Sequence, residues 1–280
     1  MLIGVKLMIY YVKNKLRQIL SEKENKDFEI DQIISYVTKK EKERWLIEKT
    51  ITKKQIRKAI KIANKRKKNI PLQYLIKNWD FYGINFKVGK GVLIPRQDTE
   101  TLVDLTLPLI EKDDIILDLG TGTGCISAAI AKNKKDVKIF AVEKFFRAYI
   151  YAKKNLKPFK KKVKLFKGDI LNEKFAKKFN NINIIVSNPP YISEKELEKI
   201  QKEVKFEPKT ALYGGKNGLK FYENITLIWK NCLKKGGYLI FEIGESQKNS
   251  VETILKKHGF NQVKTYKDLS KKDRVIVAKK

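Results

Sequence analysis

Two short segments carry residue types that could do chemistry together. Asn188-Pro189-Pro190-Tyr191 places two consecutive prolines beside a carboxamide. Proline fixes φ and lacks an N–H, so the segment is stiff and offers acceptors: backbone carbonyls and the Asn188 side chain, aimed off the end of the preceding strand. An isolated Asn-Pro often just ends a strand. Here it follows a glycine loop, Asp118-Leu119-Gly120-Thr121-Gly122-Thr123-Gly124, and that pairing favours a functional site. Glycines let a backbone turn tightly and approach a ligand where side chains would collide. The spacing is G-x-G-x-G, one residue short of the dinucleotide fingerprint. Glu143, 23 residues after Gly120, closes the next apolar run and is placed to hold ribose hydroxyls. An ordinary strand-to-helix turn with a solvated Glu143 remains the alternative. Gly168-Asp169-Ile170 ends the following run, where an acid and an apolar side chain could bond and cover an adenine ring, although Gly-Asp is also turn chemistry.

These segments must be held by elements that the apolar pattern outlines. Short apolar runs at 115–119, 137–142, 163–166, 182–187 and 238–243 alternate with helical stretches, the mark of a parallel sheet buried on both faces. Two further strands, near 260–266 and 274–278, are joined by a polar turn. All three motifs thus fall at carboxyl ends of strands, where open parallel sheets bind ligands. Residues 8 to about 70 instead show helical spacing and no strand signal, with Ser21, Asp31, Thr38 and Thr52 expected as helix caps. The expected organisation is a helical domain at 1–75, a hairpin-like connector at 76–95 and an α/β domain at 96–280.

Composition narrows the classes. The 280 residues are 42% hydrophobic, which excludes a disordered or fibrous chain. Two cysteines and one histidine, His258, remove disulfide frameworks and most metal or charge-relay chemistry, so no metal is expected and the compartment is reducing. His258 precedes Gly259 and reads as a helix cap. Cys125 opens the helix after the glycine loop, where a thiol either ionises readily or simply packs. The net charge of +31 suggests nucleic acid, but 55 of the 62 basic residues are Lys, and Ile (34) and Asn (18) are inflated with them. That joint excess points to an AT-rich genome rather than a built patch, and no specific nucleic-acid binding is expected. The start, MLIGVKLMIYYV, is broken by Lys6 and Lys13 and is read as neither signal nor membrane span; Met1 and Met8 are both candidate first residues. A cytoplasmic protein without membrane association is expected.

The glycine loop taken with Asn188 to Tyr191 resembles the class I S-adenosylmethionine-dependent methyltransferases that modify planar amide or amino nitrogens. Within them the chain is similar to the peptide chain release factor N5-glutamine methyltransferase (PrmC/HemK) family. The resemblance runs through Pro71-Leu72-Gln73-Tyr74-Leu75, Phe81, Phe86 and Val92-Leu93-Ile94-Pro95-Arg96 with Thr99 and Glu100. It continues in Glu207-Pro208, Ala211-Leu212, Gly214-Gly215, Glu242-Ile243-Gly244 with Gln247, and Asp268-Leu269 with Arg274. The segment ending in Pro95-Arg96 is the family-specific part. Departures are Gln97-Asp98 where Pro-Glu is usual, Glu143 where Asp is commoner, and Asn217 in place of an Asp.

The resemblance implies a Rossmann-like, seven-stranded, mostly parallel methyltransferase domain with a small N-terminal helical domain that docks the protein substrate. It implies S-adenosylmethionine at Gly120, Thr121, Gly122, Thr123, Gly124, Glu143, Asp169, Ile170 and Asn188, and a class I release factor held as a monomer's substrate at Asn188, Pro189, Pro190 and Tyr191. Asn188 Oδ1 and the Pro189 carbonyl are expected to accept the N–H groups of the substrate amide, with Tyr191 packing beside it. Arg96 and Glu100 either shape the pocket or form a structural ion pair. Two competing readings are a nucleic-acid amino-methyltransferase acting on adenine N6 or guanine N2, and a non-catalytic S-adenosylmethionine-binding module. If the lysines are incidental, methylation of an isolated release factor should fall only slightly between roughly 50 and 200 mM salt. A steep loss of substrate affinity in that titration would show that the charge is part of recognition.

Overall fold

The computed structural model describes residues 2–48 and 51–280, with side chains from residue 9 onward. The choice between Met1 and Met8 as first residue lies outside the described side chains. The chain forms two compact units, Met1–Lys77 with Lys202–Phe206, and Asn78–Gln201 with Glu207–Lys280. Among the described residues no helix is long and apolar enough to cross a membrane.

The smaller unit consists of helices α1 (Leu2–Ile19), α2 (Lys26–Thr38), α3 (Lys42–Glu48), α4 (Lys53–Lys67) and α5 (Leu72–Ile76). Their apolar stripes meet in a core containing Leu16, Leu20, Ile30, Ile33, Ile34, Trp45 and Ala63, all fully buried. Of the four expected caps only Thr52 acts as one, in a reciprocal capping box with Gln55. Ser21 lies in a turn, and Asp31 and Thr38 fall inside α2. Asp31 is engaged by Lys13 (2.8 Å) and Lys42 (2.6 Å), and the Thr38 hydroxyl donates back to the Ile34 carbonyl (2.7 Å). Tertiary ion pairing and back-bonding thus override the local cap preference. Arg66, buried on α4, donates from Nε and Nη2 to the Glu29 carboxylate (2.7–2.9 Å) and from Nη2 to Glu203 (2.5 Å). Glu203 reaches this unit on the excursion 202–206 and is also held by Lys23 (2.9 Å).

The larger unit opens with a hairpin, β1 (Asn78–Phe81) and β2 (Ile84–Lys87), whose turn residues Tyr82 and Gly83 both have positive φ. Phe81, Phe86 and Val88, read from the sequence as part of a connector, lie in this unit's core. There follow α6 (Glu100–Thr106), β3 (Asp114–Leu119), α7 (Cys125–Asn133), β4 (Val137–Glu143), α8 (Phe146–Asn155), β5 (Val163–Lys167), α9 (Glu173–Ala176) and β6 (Ile182–Ser187). The unit closes with α10 (Glu194–Lys199), α11 (Lys220–Trp229), β7 (Leu233–Glu242), α12 (Lys248–Lys257), β8 (Asn261–Lys267) and β9 (Asp273–Lys279).

The sheet order is β5-β4-β3-β6-β7-β9-β8, parallel through β7, with β9 antiparallel to both neighbours. This is the seven-stranded, Rossmann-like arrangement of the class I methyltransferases. Successive residues of one strand point to opposite faces, so Ile116 and Ile184 join one core, while Leu117 and Ile185 join the other beneath Tyr222 and Trp229. Chain order runs outward from β3 in one direction and then restarts at β6 in the other, which opens a crevice at the carboxyl ends of those two strands.

The Arg66–Glu29 pair yields a stability test. Glu29→Gln keeps the shape but leaves a buried guanidinium short of its principal counter-charge, at a cost of about 3 kcal/mol. Denaturant unfolding of the full chain should show that loss; an unchanged midpoint would mean that Glu203 alone balances the guanidinium.

Candidate active site

The glycine loop is fixed from beneath. Gly120 and Thr121 both donate their N–H to the Val142 carbonyl (3.0 and 2.9 Å), tying the loop to the end of β4. Asp118, fully buried, accepts at Oδ2 from the Thr121 hydroxyl (2.6 Å), the Ser127 hydroxyl (2.6 Å) and the Ser127 N–H (3.2 Å). Burial pushes its carboxyl upward against those three donors. Gly124 has φ +83°, and a Cβ there would sit 2.8 Å from Leu156 Cγ, so the helix start packs too closely for any other residue. Gly122 differs: with φ +60°, its nearest neighbour to an added Cβ is the Gly120 carbonyl at 3.9 Å, which leaves the space beside it open.

Glu143 is almost fully buried and its carboxyl is raised by burial, against backbone N–H groups that favour the charge. Oε2 accepts from Gly122 N (3.0 Å) and Oε1 from Phe145 N (2.7 Å), so it braces the loop while keeping lone pairs for another donor. Asp169 accepts from Leu171 N (3.0 Å) and pairs with Lys144 (2.6 Å). Burial opposes its charge, but the Lys144 ammonium holds its carboxyl below the usual range. Ile170 is buried, and its carbonyl accepts from Trp229 Nε1 (2.8 Å).

At the end of β6, the Ser187 hydroxyl donates to the Leu119 carbonyl (2.7 Å), locking β6 to β3 just before Asn188. Asn188 Nδ2 donates to Thr99 Oγ1 (3.1 Å), and Thr99 Oγ1 donates to Glu242 Oε2 (2.5 Å). Tyr191 reaches Glu242 Oε1 at 3.5 Å. Glu242 is fully buried, and burial raises its carboxyl to about 7, with the Thr99 hydroxyl pulling the other way. Burial also drives the Tyr191 phenol far up, reinforced by Glu242, so it stays neutral. Gln247 holds the segment after the prolines by donating from Nε2 to the Tyr191 carbonyl (2.9 Å).

One cleft, with about 1170 Å³ of unfilled space including its mouth, is lined by Gly120, Thr121, Gly122, Thr123, Glu143, Asp169, Ile170, Asn188 and Pro190. Gly124, Pro189 and Tyr191 do not line it; Pro189 is buried and Tyr191 turns toward Glu242. Arg96 lines the cleft and pairs with buried Glu207, which also accepts from Ile94 N (2.9 Å). Glu100 is separate, accepting from Tyr82 N (2.7 Å). Cys125 is buried and its thiol is pushed up to about 12, which fits the packing role and not ready ionisation at the helix start. His258 is the C-cap of α12, its N–H donating to the Ile254 carbonyl (3.2 Å). Asn217, the departure from Asp, still accepts from Leu219 N (3.1 Å) and forms the turn an Asp would form.

Several lining residues carried no role in the sequence reading, among them Leu93, Thr99, Phe145, Thr210 and Phe221. Thr99 lies 89 positions from Asn188 and 143 from Glu242, and no local spacing links them. The only signal was its place in the segment ahead of the glycine loop.

The model of the Methyltransferase small domain matches residues 97–215. The Release factor glutamine methyltransferase of Clostridium acetobutylicum is 40% identical over 254 residues, covering 88% of each chain. That of Thermodesulfovibrio yellowstonii is 38% identical over 275 residues, 95% of this chain and 97% of its own. A methyltransferase of Pyrococcus furiosus, with TM-score 0.54 and 19% identity over 71% of this chain and 90% of that one, shares the fold. So does the catalytic domain of hMettl16 in complex with the MAT2A 3′UTR hairpin 6, with TM-score 0.58 and 16% identity over 81% of this chain and 82% of that one.

The open space beside Gly122 sets the test. Gly122→Val adds branched bulk to the cleft and forces a left-handed conformation costing about 1–2 kcal/mol. S-adenosylmethionine affinity, read by calorimetry, should drop on the order of tenfold or more with the fold retained. Unchanged affinity would count against the loop as the cofactor cradle.

Proposed function

The chain belongs to the release factor glutamine methyltransferase family, and from that premise we propose that it transfers a methyl group from S-adenosylmethionine to the side-chain amide nitrogen of the glutamine in the Gly-Gly-Gln motif of class I release factors. It acts in the cytoplasm as a monomer, with the helical domain at 1–75 docking the release factor and the domain at 96–280 performing the transfer. The observation that carries this reading is that Asn188 and the glycine loop line the same cleft. The donor set fits S-adenosylmethionine: open backbone at Gly122, a buried carboxylate with spare lone pairs at Glu143 for ribose hydroxyls, and Asp169 with Ile170 for the adenine edge and face.

When bound, S-adenosylmethionine supplies an electrophilic sulfonium methyl. A carboxamide nitrogen is a weak nucleophile because its lone pair is delocalised, so orientation and electrostatics must carry the rate. Asn188 gives its amino end to Thr99, which leaves Oδ1 for one substrate N–H. The second substrate N–H is assigned to the backbone carbonyl of Pro189, a residue that is itself buried beside the cleft rather than lining it. Two acceptors converging on one nitrogen aim it and stabilise the positive charge it develops. Tyr191, neutral and directed at Glu242, packs behind the cleft lining without adding charge. The amide proton leaves to water after transfer, so no histidine is required.

Asn188→Ala removes one of those acceptors and spares the loop. Turnover on a release factor should fall roughly 10² to 10³-fold, as for deleting one transition-state partner, while cofactor affinity changes little. Near-normal methylation by this variant would overturn the assignment of Asn188 and leave a binding module as the better reading.

A further inference from the structure

We infer that Thr99 and Glu242 are positioning residues for methyl transfer: the chain Asn188 Nδ2 to Thr99 Oγ1 to Glu242 Oε2 dictates which end of the Asn188 carboxamide faces the substrate. The inference rests on the functional reading above. A carboxamide is nearly symmetric in shape but opposite in chemistry at its two ends. Rotated by half a turn, Asn188 would present N–H groups to the N–H groups of an incoming amide, and the site would repel its substrate. Packing cannot discriminate the two rotamers; a hydrogen-bond partner can.

Thr99 supplies that discrimination because its hydroxyl has a single proton. The Glu242 carboxylate, at 2.5 Å, can only accept, so it claims that proton. Thr99 Oγ1 is then left with lone pairs toward Asn188, 3.1 Å away, and only the amino end can answer them. All three side chains are held by separate elements. Thr99 sits in the short turn 97–99 before α6, Asn188 directly follows β6 and Glu242 ends β7, so three separate parts of the fold bring the relay together. Thr99 is 2% and Glu242 1% exposed, which keeps water from substituting for either partner.

The polarity of the relay depends on Glu242 being ionised. Protonated, it could donate to Thr99 and free the hydroxyl proton for Asn188 Oδ1, which permits the wrong rotamer. The groups that face Glu242 are Thr99 and Asp98 from the 97–99 turn, Tyr191 after β6, Arg274 on β9, Tyr222 on α11 and Cys125 on α7. Arg274 favours the carboxylate, Asp98 opposes it, and burial outweighs both, which places the change near neutral pH.

The test uses the full-length protein, a class I release factor and labelled S-adenosylmethionine, with kcat, KM and cofactor affinity measured separately across pH 5.5 to 9. Thr99→Val keeps the shape and removes the lone pairs. Its kcat should fall about 10- to 100-fold, the scale of a misoriented catalytic group, with cofactor affinity unchanged. Thr99→Ser, which retains the hydroxyl, should recover most of the loss. In the unsubstituted protein kcat should decline as pH falls through about 7, the point to which burial lifts Glu242. Glu242→Gln, which cannot titrate, should flatten that limb. Equal impairment of the valine and serine variants would mean that Thr99 acts by packing and would overturn the inference, as would wild-type kcat in the valine variant. If the unsubstituted protein leaves the release-factor glutamine unmethylated while binding the cofactor, the functional reading fails and takes this inference with it.

Discussion

The reversal of strand order between β3 and β6 is the constraint on which the site depends. Chain leaving β3 crosses to β4 on one side, and chain entering β6 returns to the other, so no connection fills the space above their carboxyl ends. Parallel strands buried on both faces can expose reactive groups only at such an edge. Leu119 and Ser187 are the last residues of the two strands, and the hydrogen bond from Ser187 Oγ to the Leu119 carbonyl pins them together. Gly120 and Asn188 begin one residue beyond, and that adjacency brings a cofactor cradle and an amide acceptor into one cleft.

Two buried glutamates, at the ends of β4 and β7, serve this cleft in different ways. Glu143 faces backbone: it accepts from Gly122 and Phe145 and shapes the loop that receives the ligand. Glu242 faces side chains: it accepts from Thr99 and Tyr191 and so orders the polar groups on the opposite wall. Both are lifted by burial, yet each is paid for by donors fixed on neighbouring elements. A carboxylate at a strand end in this sheet is thereby a scaffold member first, and any contact with ligand uses the lone pairs that remain.

Much of this was legible in the residue order, and what was not has identifiable causes. The apolar runs located the parallel strands because burial on both faces demands unbroken Val, Ile and Leu. The start of β7 was hidden: the apolar run begins at Tyr238, but the strand begins at Leu233 and runs through Lys234-Lys235-Gly236-Gly237, with a register shift against β6. Asp31 and Thr38 looked like caps because cap preference is local, whereas lysines from α1 and α3 claim Asp31 in space. The acceptors of Asn188 and the prolines could be named from type alone. Their orientation by Thr99 and Glu242 could not, because it joins positions 89 and 143 residues apart that only the sheet brings together.

The position of β9 has a consequence for how such a chain is made. β8 has β9 as its sole neighbour in the sheet, and β9 is seated between β7 and β8 although it follows both in sequence. During synthesis, which delivers the amino-terminal part first, β8 emerges before β9, the one strand it pairs with. That late strand also carries Arg274, which donates to Asp268 (2.9 Å) and to the Ile243 carbonyl (3.2 Å) beside Glu242. The charge environment of Glu242 is therefore completed only with β9, after the glycine loop and the Asn188 segment beyond β6 have been made, and a nascent chain stalled before β9 would hold a ligand cradle without its finished polar wall.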